Sequence, residues 1–195
     1  MNKHGFAFWV LWAFALSGFA QEYAVPPPPP ATRDPEMRQI DPAKDGAVLK
    51  RIELVRQKLP EPFRLRNNFA WAIAKIDGLD KREFFAHSGI QDFEGLSTDA
   101  QAAIAEISLK PAAGRFKTLC VNQNEAVEGF DCWQRDVDTE YKIIEDLAAR
   151  LPDMAAKGRM LLFTELYPCP SCWNVMKQFL SAYPNVEMLV LYRTP

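Results

Sequence analysis

The chain has few glycines, two histidines, four cysteines and no surplus of charge of either sign. Nine glycines in 195 residues exclude a collagen-like chain, and 48% hydrophobic residues exclude a disordered one. A net charge of −2 excludes a nucleic-acid binder that works by charge alone, because phosphate contacts need concentrated Lys and Arg. The apolar run Phe6 to Leu16 is too short to cross a bilayer comfortably as a permanent helix, and no cysteine lies beside it for lipid attachment. The composition that remains is that of one globular domain with a full core.

Met1 to Ala20 reads as a secretory signal peptide. Lys3 starts it, the apolar run comes next, and Gly18 and Ala20 are the small residues before the cleavage point. The expected mature chain begins at Gln21 and is secreted or periplasmic, with no stable membrane insertion after cleavage. Residues 21–45 read as a proline-rich linker that cannot build a core. Pro26 to Pro30 predicts a stiff polyproline II rod, and Pro35 and Pro42 keep interrupting the stretch after it. The domain is expected over residues 46–195.

Within it, Val48, Leu49, Ile52, Val55 and Leu59 have helical spacing, which Pro60 and Pro62 end. Over residues 68–76, Phe69, Trp71 and Ile73 alternate with Ala70, Ala72 and Ala74. This predicts a strand with one bulky and one smooth face, followed by a hairpin partner at Glu83 to His87. Leu96 to Ser108 predicts a helix capped by Ser97 or Thr98. Arg115 to Asn122 and Gly129 to Val137 predict a strand pair. Thr139 to Leu151 is an amphipathic helix with Asp138 as its N-cap. Met160 to Thr164 predicts a buried strand, Cys172 to Tyr183 a helix and Val186 to Tyr192 a last strand. The order predicts an α/β fold, a mixed sheet flanked by helices.

Pro168-Cys169-Pro170-Ser171-Cys172 is the sharpest motif. It comes after a strand and opens a helix, where the helix dipole favours thiolates. Three readings compete: a structural pair, a periplasmic dithiol-disulfide oxidoreductase, and a zinc site. Only 23 residues follow Cys172, too few for the sheet and cis-proline loop that a thioredoxin fold keeps downstream. Zinc needs a third protein ligand, and Asp138 and Glu140 open the preceding helix. Glu140 stands 29 residues before Cys169, room for one helix, a loop and one strand, so both helix starts converge at one sheet edge. A carboxylate beside such a pair matches the H-x-E and P-C-x-x-C signature of zinc-dependent base deaminases.

Four segments carry a resemblance to a known family. They are Asn68-Phe69-Ala70-Trp71-Ala72, Ala86-His87-Ser88-Gly89, Asp138-Thr139-Glu140-Tyr141-Lys142, and Phe163-Thr164-Glu165 running into Pro168–Cys172. From about Asn67 onward the chain resembles the bacterial secreted deaminase toxins of polymorphic toxin systems, in the cytidine deaminase-like superfamily. The resemblance implies that fold, hydrolytic deamination of a nucleobase, cytosine or adenine, and an immunity protein as a partner. It implies Zn2+ on Cys169 and Cys172, and Glu140 as proton shuttle. The usual histidine of H-x-E is Asp138 here, so the third ligand is Asp138 or His87. Asn68, His87 and Ser88 become candidate substrate contacts. If neither Asp138 nor His87 binds metal, the domain is a non-catalytic relative.

Cys120 and Cys132 fall on the expected strand pair and are candidates for a disulfide in an oxidising compartment. Phe163 and Trp173 are expected in the core rather than as base-stacking groups.

Overall fold

The computed structural model describes residues 33–194, so the expected signal peptide and the run Pro26 to Pro30 lie outside the described residues. A five-stranded sheet orders as β1 (Glu36–Gln39), β7 (Val186–Thr194), β6 (Gly158–Leu166), β2 (Phe69–Ile76) and β3 (Glu83–His87). β1, β7 and β6 run parallel, while β2 is antiparallel to both β6 and β3. A separate small sheet pairs β4 (Cys120–Val121) with β5 (Trp133–Gln134). The helices are α1 (Gly46–Arg56), α2 (Thr98–Ala103), α3 (Thr139–Arg150) and α4 (Pro170–Ala182). The expected mixed α/β architecture is present, in three layers.

The alternation in β2 divides the core. Ala70, Ala72 and Ala74 turn their methyl groups towards α3 and α4, into a core that holds Ile143, Ile144, Leu147, Val175, Met176 and Phe179. Phe69 and Trp71 face the other side and pack with Phe85, Phe163 and Leu191 against Ile52, Val55 and Leu59 of the α1 region. Phe163 is thus core, and Trp173 packs against the first core. Small side chains on one face let α3 lie close to the sheet, which matters for the site it begins.

Three expectations need correction. The stretch up to Asp45 does contribute to the fold: β1 lies inside it, pairing Met37 with Val190, and Ile40 and Asp45 are buried. Pro35 precedes the strand and Pro42 comes after it, so neither removes a ladder donor within it. The strands expected over Arg115 to Asn122 and Gly129 to Val137 each shrink to two residues, and between them Glu125, Glu128 and Asp131 take positive φ and coil the chain. The helix expected from Leu96 to Ser108 stops at Ala103. There the backbone turns to lay Ile104 and Ile107 into the second core, while Ser97 caps it as expected.

Candidate active site

β6 leads through Tyr167 and Pro168 into α4, and α3 begins beside that turn. Cys169 is the N-cap of α4, its Sγ accepting from the Cys172 amide, and Pro170 supplies the first helical residue with φ already set. Asp138 is at the N-cap position of α3, but its carboxylate does not cap the helix. It faces the thiols instead. Cys172 and Cys169 Sγ lie 3.2 and 3.3 Å from Asp138 Oδ2, and 3.4 Å from each other. Asp138, Cys169 and Cys172 each offer one donor atom within 4.8 Å of the others.

Ligands of a tetrahedral zinc stand about 3.5–3.8 Å apart, given bonds of about 2.0–2.3 Å. The three donors match that spacing with little rearrangement, and two sulfurs with one carboxylate oxygen suit zinc by chemistry. The helix starts add partial positive charge next to these anionic groups. The hydrogen bond from Cys172 lowers the Cys169 pKa, whereas that same bond, burial and the carboxylates raise the pKa of Cys172. Cys169 therefore ionises first.

Glu140 sits one residue into α3, 2% exposed, with Oε2 at 3.6 Å from Cys172 Sγ. Burial first, then the charge of Asp138, pushes its pKa up. The Thr139 hydroxyl donates to Glu140 Oε2 at 2.8 Å and accepts from Asn68 Nδ2 at 2.9 Å. Asn68 Nδ2 also reaches Thr164 Oγ1 at 3.1 Å. Its Oδ1 is buried and has no partner among the described residues, an acceptor left for something in the cleft.

Ser88 holds Asn68 in place: its Oγ accepts from the Asn68 amide and its amide donates to the Asn68 carbonyl. A cleft of about 330 Å³ joins Asn68, Ser88 and Glu140 to the three donors, with Trp133 and Tyr167, each 45% exposed, along its rim.

His87 is placed otherwise than as a ligand. It is fully buried, Nε2 donates to the Arg66 carbonyl at 2.8 Å, and Nδ1 accepts from the Gly89 amide at 3.1 Å. Both ring nitrogens are occupied, and burial pushes its pKa down, so it is a neutral strut under the loop that bears Asn68. Of the two candidates for the third donor, Asp138 is with the thiols and His87 is not. His87 also does not line the cleft, whereas Asn68 and Ser88, the other two candidate substrate contacts, do.

Cys120 and Cys132 are joined by a disulfide, and Cys169 and Cys172 are free. The closed hairpin carries Arg135, whose Nε donates to Asp138 Oδ2 at 2.9 Å. Burial works to lower the Arg135 pKa, and the charges of Asp138, Cys169 and Cys172 outweigh it, so it is held above its ordinary value. Sequence reasoning missed Arg135, Thr139 and Thr164 as members of the site. Thr139 had a signal, a hydroxyl between two acids; Arg135 had none, since its partner depends on where the hairpin folds back.

A buried carboxylic acid thus lies next to a two-sulfur, one-oxygen donor set where two helices begin. Residues 52–194 match the profile of the toxin deaminases described as the BURPS668_1122 family of deaminases, and the chain belongs to that family. No curated protein and no solved structure matches it.

Proposed function

We propose that the protein is a zinc-dependent hydrolase that replaces the amino group of a cytosine or adenine base with oxygen, releasing ammonia. The supporting observation is the placement of Glu140, buried within 3.6 Å of Cys172 and beside the Asp138, Cys169 and Cys172 donors. Those three residues would hold Zn2+, which supplies water activation in sites with three protein ligands.

The rest is the work of the chain's own groups. Glu140 takes one proton of the attacking water at Oε2 and delivers it to the ring nitrogen, then takes the second from the added hydroxyl and delivers it to the departing amine. The Thr139 hydroxyl, donating to that same oxygen, keeps the carboxyl turned into the cleft. Asn68 is oriented by Thr139, Thr164 and Ser88, and its free Oδ1 accepts from the base or sugar. Trp133 and Tyr167 flank the entrance with flat apolar faces.

The reading carries export as a toxin, consistent with the apolar leader, and an immunity protein as partner. The deciding experiment incubates the purified domain with nucleosides, single strands and duplexes and assays ammonia. One zinc per chain and ammonia from at least one substrate are expected, with Glu140→Ala losing activity and keeping metal. A zinc-loaded protein inert on every substrate overturns the proposal. Reversible oxidation of Cys169 and Cys172 that chelators do not affect would replace it with the dithiol oxidoreductase.

A further inference from the structure

We infer that Arg135 is the counter-charge that lets an aspartate occupy the place of a histidine in the donor triad. This rests on the zinc reading and concerns the chain's own groups.

Two thiolates and one carboxylate carry three negative charges, and a divalent ion leaves one uncompensated. With a neutral histidine in place of Asp138 the same sum is zero. Glu140 is common to both versions and cancels from the comparison. A net charge in a poorly solvated site is costly unless it is paired.

Arg135 supplies that pair: Nε lies 2.9 Å from Asp138 Oδ2, the oxygen that also meets both sulfurs, and the two side chains are 22% and 13% exposed. Among the described residues no other cation forms an ion pair with Asp138. Lys142 is committed to the carbonyls of His87 and Ile90, and Lys110 to Asp136.

Arg135 is also held from two sides. Its amide donates to the Leu119 carbonyl, continuing the β4–β5 pairing beyond the disulfide, and its guanidinium lies 5.1 Å from the centre of the Trp133 ring. It is a positioning residue, acting through Asp138.

The test measures zinc affinity by competition with a chromogenic chelator, on the wild type, Arg135→Leu, Asp138→His and the double variant, with circular dichroism to establish folding. Arg135→Leu should weaken zinc binding about 10–100-fold in the aspartate background. In the histidine background the same change should strengthen binding or leave it unaltered. Arg135→Lys, which keeps the charge, should stay within a few-fold of wild type. Arg135→Gln repeats the cycle with a polar side chain if the leucine variant does not fold. An equal loss in both backgrounds, or wild-type affinity in Arg135→Leu, overturns the inference while the zinc reading stands. A wild-type chain that takes up no zinc overturns both.

Discussion

Single residues near the site behave against their type. Asp138 is legible as a helix start because aspartate favours that position, but a side chain drawn off to two sulfurs and a guanidinium is a tertiary fact that local pattern does not contain. Lys142 is the same kind of exception. It is fully buried on α3, donates to the carbonyls of His87 and Ile90, and burial lowers its pKa to about 7 from 10.5.

The unfolded chain therefore binds the Lys142 proton more readily than the folded one between those values, and stability from this group rises with pH across that window. Urea unfolding should show that rise in the wild type and a flatter curve in Lys142→Met over about pH 7–10. His87→Asn should lower stability by about 1–3 kcal/mol, since it removes a buried strut, and leave zinc content at the wild-type level.

Elements are legible where one period runs long enough. β2 shows itself by six alternating residues, Phe69 to Ala74, and β3, α3 and α4 fall within a residue or two of expectation. The hairpin between Cys120 and Cys132 does not, since coiling at three positive-φ residues leaves no period to read. Its disulfide closes a short loop, worth about 3 kcal/mol by loop-closure entropy. Cys120→Ser/Cys132→Ser should lower the melting temperature and weaken zinc binding together, because the hairpin bears Arg135. Unchanged zinc affinity would detach the hairpin from the site.

One ion pair ties β1 to the start of α1. Arg38 holds Asp45 in a two-point contact that pulls its pKa from 3.8 to about 2. A lowered carboxylate stabilises fully above its unfolded value and ceases to as pH falls through the folded one. The stability difference between wild type and Asp45→Asn should thus shrink between about pH 4 and 2, read by urea unfolding.

On the scale of the whole molecule, the sheet begins earlier than composition suggests. Proline content makes residues 21–45 read as linker, yet β1 pairs with β7 and leaves a strand edge open if it is removed. A chain starting at Gly46 should unfold at lower temperature and aggregate more than one starting at Arg33, as size-exclusion chromatography and thermal scans would show.

The two helices that open at the site are fastened elsewhere, α3 by Ile143 and Leu147 and α4 by Val175 and Phe179. Their anchorage owes nothing to a captured ion, unlike domains whose cohesion is the metal itself. Stripping with a chelator should then silence such a protein without denaturing it, and adding the ion back should revive it within the time of simple diffusion and coordination.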